Sequence, residues 1–261
     1  LPMVWKMFIH YMREYSSKIK NCRVERLVPR AKNHEPGITT NNSTASQLNG
    51  FTNEQHPMTY TFKIKLNGSA KPPVWRMINI NTHDTFSQLH LAIQCAFGWQ
   101  NYHLWQFADY TGMPRTVIRE PDEEADWDDA FMDDFLPTGR PRPNRLNAAS
   151  AKLSDYFKEK GDKITYTYDF GDGWDHTAEL LATDDDIVLQ PTCTGGKRQC
   201  PPADCGGIWG YRQLVEILED PKHPYHKEMR QWLGLKRGEQ WDVNHFSTEE
   251  DNARMREAAQ E

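Results

Sequence analysis

The chain has 261 residues, 38% of them hydrophobic, with 9 Trp, 10 Tyr and 11 Phe. That is enough apolar material for one good core with appendages or for two small ones, and it excludes a globally disordered chain and a membrane-spanning one, since no apolar run approaches the roughly 20 residues of a span. The formal net charge of −6 is divided unevenly: residues 1–57 hold eight Lys/Arg against four Asp/Glu and the remainder holds 23 against 33, so the larger part is acidic and argues against a broad phosphate-binding face.

Residues 1–57 read as a basic extension, with a helix around Phe8 to Ile19 and a polar linker from Gly37 to Gly50. The opening LPMVWKMFIHYM is short, broken by Lys6 and His10, and lacks a small-residue cleavage pattern, so it is not read as a signal peptide. Tyr60 to Leu66 alternates as a strand, Asn67 to Pro73 is a turn, and Val74 to Ile80 is a second strand, antiparallel to the first. Thr82 to Thr85 offers an N-cap to a helix with Phe86, Leu89, Ile93 and Phe97 on one face, and Gly98 ends it. His103 to Tyr110 is a third strand. Glu120 to Asp134 holds nine acidic residues and no basic one, and reads as an exposed insert. Its Asp126, Asp128 and Asp129 lack the turn glycine and terminal glutamate of an EF-hand. Pro137 to Pro143 is a connector, and Leu146 to Glu159 reads as a helix.

The stretch YTYDFGDGWDHTAEL, from Tyr166 to Leu180, carries the densest chemistry. Tyr166, Tyr168 and Phe170 alternate with Thr165, Thr167 and Asp169, as a strand with one buried face would. Gly171-Asp172-Gly173-Trp174 then reads as a glycine-permitted turn into a second strand from Thr177 to Thr183. The expected hairpin tip displays Asp169, Asp172, Trp174, Asp175 and His176. Beyond it, Thr192 to Trp209 is rich in Cys, Gly and Pro without periodicity. Helices are expected at Gly210 to Leu218 and Pro224 to Leu233, and a last one behind the Ser247 to Glu250 capping box.

The blocks PPVWRMINI, FSQLHLAIQCAFGW with HLWQF, YTYDFGDGWDH, CPPADCGGIWGY and DPKHPYH, in this order, resemble the plasmid pRiA4b ORF-3-like family, whose members are also labelled insertion-element passenger proteins. The resemblance runs from about Thr59 to Arg254. It implies a compact α+β domain and no particular reaction, and its label suggests association with mobile genetic elements, which is genomic company rather than chemistry.

The tip has two readings. Asp172, Asp175 and His176 converge with His90 or His103 on a divalent metal, Zn or Mn, whose bound water hydrolyses an ester or phosphodiester. Alternatively Asp169 and Asp172 hold the turn through backbone N–H groups, Trp174 packs over the core and His176 bonds across strands. The second is preferred, because Asp-Gly turns commonly hold themselves this way. Cys193, Cys200 and Cys205 are spaced x6 and x4, unlike the close pairs of structural zinc sites; they are candidate zinc ligands with a fourth drawn from elsewhere, such as His176, but are read first as reduced thiols. His90 and His103 are read as hydrogen-bonding residues at the core margin, and Cys200 or Cys205 as a nucleophile has no assignable partner. Five cysteines without a secretory pattern favour a cytoplasmic or otherwise intracellular setting. No P-loop, dinucleotide fingerprint, nucleophile elbow or H-E-x-x-H motif is present.

The element order hairpin–helix–strand predicts an α+β fold with a β-grasp-like sheet, a second hairpin and C-terminal helices, in one domain from residue 58 to 261. The first expected function is a non-catalytic binding or adaptor module with an unknown protein partner and no cofactor. The alternative is a metal-dependent hydrolase or nuclease at the tip. A third expectation is nucleic-acid binding through residues 1–57.

Overall fold

The computed structural model describes residues 56–69, 73–109, 114–121 and 143–260. The expected N-terminal helix, the Gly37 to Gly50 linker, residues 122–134 of the acidic insert and most of the proline connector lie outside the described residues.

From His56 onward the chain is α+β, with eight strands and five helices among the described residues. The strands are β1 (Thr59–Leu66), β2 (Trp75–Asn81), β3 (Trp105–Ala108), β4 (Thr116–Arg119), β5 (Asn144–Asn147), β6 (Lys163–Tyr168), β7 (Trp174–Asp184) and β8 (Thr192–Lys197). The helices are α1 (Phe86–Phe97), α2 (Leu153–Tyr156), α3 (Gly207–Glu219), α4 (His226–Trp232) and α5 (Thr248–Ala258). One sheet runs β5-β4-β3-β6-β7-β1-β2-β8, antiparallel throughout except for the parallel β4–β5 pair.

Alternation sets the buried face. Tyr60, Phe62, Ile64 and Leu66 of β1, Ile78 and Ile80 of β2, Tyr166 and Tyr168 of β6, and Trp174, His176, Ala178 and Leu180 of β7 are all buried. Helix α1 crosses this face. Its Phe86 meets Phe107 of β3 edge-on at 5.1 Å, and its Phe97 meets His176 of β7 at 4.7 Å. Thr85 and Gln88 form a full capping box at its start, and Gly98, at φ 72°, closes it.

Helix α5 lies against α1 and β8 and is held by charge as well as packing. Asp251 of α5 receives the Arg76 guanidinium of β2 at 2.9 Å, with both side chains about 4% exposed. Asp251 is also paired with Arg254, whose Nε donates to the Cys95 carbonyl of α1 at 2.7 Å. Arg76 donates further to the carbonyls of Ala96 and Arg198, so the buried cation is well supplied with acceptors.

Strand β4 has no counterpart in the sequence expectation, and three further segments depart from it. The helix expected over Leu146 to Glu159 is instead strand β5, a turn and the single turn α2. The Asn147 side chain accepts the Ala149 N–H at 2.9 Å to form the turn. Phe157 then leaves the helix in an extended conformation and buries its ring against Phe62 at 4.6 Å. Strand β8 has no apolar alternation because other groups take up the space beside its glycines. A Cβ on Gly196 would lie 2.4 Å from the Phe246 ring and 2.8 Å from the Arg76 side chain. Strand β7 begins three residues before the expected Thr177, with Trp174 opposite Tyr168 and His176 opposite Tyr166. The hairpin is real, but its tip is Asp169 to Gly173, and Trp174 and His176 belong to the core.

Candidate functional site at the β6–β7 tip

The tip is fixed by its own first residue. Asp169 sits at φ 57° and Gly173 at φ 63°, and the Asp169 Oδ1 accepts the N–H groups of Gly171 at 2.9 Å and Asp172 at 3.3 Å. The left-handed bend at Asp169 breaks the strand alternation. Phe170, which period two would bury with Tyr166 and Tyr168, is 47% exposed.

Two loops close on this tip. The segment after α1 is joined to it where Asp169 N–H donates to the Leu104 carbonyl at 2.9 Å and Tyr102 N–H donates to the Tyr168 hydroxyl at 3.2 Å. The segment before α3 is tied to the first loop by Trp99 Nε1, which donates to the Pro201 carbonyl at 3.0 Å. Asp172 supplies the N-cap that Gly206 lacks: its Oδ2 accepts Gly206 N–H at 3.1 Å, and Gly207 N–H also bonds to it. The approach is so close that a Cβ on Gly207, itself at φ 64°, would fall 2.2 Å from the Asp172 carbonyl oxygen. Burial, and to a smaller degree the Asp169 and Asp204 charges, pushes the Asp172 carboxyl above its usual range.

The docking of these segments brings together His103, Asp169 and Asp204. His103 Nε2 lies 3.2 Å from Asp204 Oδ1 and 3.7 Å from Asp169 Oδ2, and one donor atom from each residue falls within 4.8 Å of the others. Asp169 divides its carboxylate, one oxygen holding the turn and the other facing His103. Three of the four non-glycine residues with positive φ among the described residues, Asn101, Asp169 and Asp204, belong to these segments. Beside the group opens a cleft of about 370 Å³, lined among others by Tyr102, His103, Leu104, Arg119, Glu120 and Phe170.

The structure distributes the sequence-predicted residues differently. His103 is in the group, and Asp172 stands at its edge. Asp175 points to the opposite face of the sheet from His176 and accepts the Thr167 hydroxyl at 2.6 Å. His176 is fully buried, its Nδ1 donating to the Trp174 carbonyl at 2.9 Å, and its Nε2 has no partner among the described residues. Burial lowers its pKa to about 3. His90 is likewise a core residue, bonded to the Tyr166 hydroxyl at 2.8 Å and to Asn101 Oδ1 at 2.7 Å, and stacked on Trp105 at 3.9 Å. Burial holds its pKa at about 4.

Cys193, Cys200 and Cys205 are buried and unpaired, and none belongs to a three-residue ligand group among the described residues. Burial pushes the Cys193 and Cys200 thiols up to about 12 and raises Cys205 further, which leaves them poor nucleophiles. Asp204 was not legible as a site residue: it lies in the aperiodic CPPADCGG run, and nothing local says that this run folds onto the tip. Its place just before Cys205-Gly206-Gly207, where the chain must bend sharply into a helix, is the only hint.

The sequence matches the family profile described as plasmid pRiA4b ORF-3-like protein over residues 58–250. An uncharacterised protein of Sinorhizobium fredii (strain NBRC 101917 / NGR234), y4hQ, is 34% identical over 171 residues, which is 63% of this chain and 76% of that one. The crystal structure of a protein of unknown function from Methanosarcina mazei Go1 superposes with a TM-score of 0.59 at 32% identity, covering 74% of this chain and 97% of that one.

Proposed function

The chain belongs to the plasmid pRiA4b ORF-3-like family, and on that footing we propose that it is a divalent-cation-dependent binding module whose ligand site is the cleft at the β6–β7 tip. The carrying observation is the group formed by His103 Nε2 and the Asp169 and Asp204 carboxylates, the one such cluster among the described residues. One imidazole and two carboxylates form a mixed nitrogen and oxygen donor set, which suits Mn²⁺, Zn²⁺ or Fe²⁺ better than an all-oxygen ion such as Mg²⁺. Like charges gathered at Asp169, Asp172 and Asp204 are relieved when a cation enters. Three protein donors leave coordination positions for an oxygen of the ligand. The test is isothermal titration of the full chain with MnCl₂ and with ZnCl₂. One site per chain is expected, with affinity falling at least tenfold in His103→Gln and in Asp204→Asn. Equal heats from the wild type and both variants would refute the assignment.

A second reading, a metal-dependent hydrolase or nuclease, draws support from those same open positions, where a bound water could be activated beside the cleft. Asp172 would then be the nearby base. Turnover of bis-p-nitrophenyl phosphate by the Mn²⁺-loaded chain, lost in Asp204→Asn, would favour it over the non-catalytic module.

The start β1–β2–α1–β3 reads as a β-grasp-like order, elaborated by β6 and β7 between β1 and β3. The basic segment up to residue 57 reads as an extension of the domain, through which nucleic acid or a DNA-associated complex of a mobile element could be met. The unpaired Cys95, Cys193, Cys200 and Cys205 fit a reducing, intracellular setting. No helix among the described residues is long and apolar enough to cross a membrane.

A further inference from the structure

The rim of the cleft is apolar where the fold gives no reason for it. Tyr102 is 79% exposed, Leu104 52% and Phe170 47%, and all three line the cleft. Each is the chain neighbour of a donor: Tyr102 and Leu104 flank His103, and Phe170 follows Asp169. Phe170 is turned outward by the same left-handed bend at Asp169 that aims a carboxylate oxygen at His103. Exposed rings are therefore carried by the backbone segments that carry the donors, so that one ligand can touch both.

We propose that the ligand of this site is a free mononucleotide, its base stacked on Phe170 and Tyr102 and its phosphate completing the coordination of the cation held by His103, Asp169 and Asp204. The proposal rests on the cation-dependent reading above. Aromatic faces accept any base. General electrostatics give the phosphate little help, because the chain outside residues 1–57 carries 33 acidic against 23 basic residues and Arg119 in the cleft lining stands beside Glu120. A bound cation reverses that local sign. The same acidic excess opposes a nucleic-acid strand, whose backbone needs a basic track. A cleft of about 370 Å³ is near the small end of ligand pockets and suits one nucleotide unit.

The test is isothermal titration of AMP, adenosine and ribose 5-phosphate into the full chain at saturating Mn²⁺. AMP should bind only with Mn²⁺ present, and adenosine and ribose 5-phosphate at least tenfold more weakly. Phe170→Ala, an exposed substitution, should weaken AMP roughly tenfold and leave Mn²⁺ affinity unchanged. Ribose 5-phosphate binding as tightly as AMP, an unaffected Phe170→Ala, or an eight-residue deoxythymidine oligonucleotide binding more tightly than AMP would overturn the proposal. Mn²⁺ binding without any AMP binding would overturn the nucleotide alone, whereas no Mn²⁺ binding in the absence of nucleotide would overturn the cation reading first.

Discussion

His176 shows how one residue type at one position can mislead. In the sequence it stands among aspartates beside a Gly-Asp-Gly turn, where a metal ligand is one reading and a cross-strand hydrogen bond the preferred one. In the fold its strand parity matters more than its neighbours: opposite Tyr166, it faces the core and meets Phe97 and Trp99. Asp175, one residue earlier, faces the other way for the same reason. The burial that removes His176 from the site makes it, with His90, a determinant of acid stability. Both have folded pKa values depressed to about 3 and about 4, below the ordinary value of 6.5. Between those limits the unfolded chain binds more protons than the folded one, so stability rises with pH through the window and falls as pH drops below about 6.5. At pH 5 each histidine should cost on the order of 2 kcal/mol relative to pH 7 or above. Urea melts at pH 5, 6 and 7 should show this slope, and His176→Phe should reduce it by about half. An unchanged slope in that variant would assign the acid sensitivity elsewhere.

Among the elements, those with a clean period were legible and those built to fit a neighbour were not. Strands β1, β2, β6 and β7 alternate, and α1 announces itself through its capping box and its apolar stripe. Strand β8 reads TCTGGK, and its glycines make sense only once Arg76 and Phe246 are seen to occupy the space beside them. Strand β5, wholly exposed, owes its conformation to parallel pairing with β4 and carries no buried face for a pattern to reveal. The buried Arg76 on β2 was legible as a residue but not as half of a pair with Asp251, 175 positions later in α5. Removing Arg76 leaves the buried Asp251 carboxylate with only the partly exposed Arg254 beside it, so Arg76→Met should cost about 3 kcal/mol. The double variant Arg76→Met with Asp251→Leu should recover much of that loss. Chemical denaturation of the two variants checks this, and equal losses in both would mean that packing, not charge, joins α5 to the sheet.

The whole molecule assembles its candidate site from three separated stretches: the segment following α1, the β6–β7 tip and the loop preceding α3. His103 and the acidic tip were each marked by the sequence, but the partnership with Asp204 is a property of how the sheet order places β3 beside β6 and how Asp172 caps α3. At this scale the expected role of the basic residues 1–57 is open to test as well. If they are an extension of the domain, a chain shortened to 58–261 should keep the thermal midpoint of the full chain. If they bind DNA, that chain should lose salt-dependent retention on a DNA column. Unchanged retention would remove nucleic acid from the account.

Where a cation sits is tested most directly by crystals grown with MnCl₂ and an anomalous-difference map collected near the manganese edge. One strong peak is expected at the tip, about 2.0–2.2 Å from His103 Nε2, Asp169 Oδ2 and Asp204 Oδ1. A map with no peak there, or with manganese bound elsewhere and these three side chains unmoved, would contradict it.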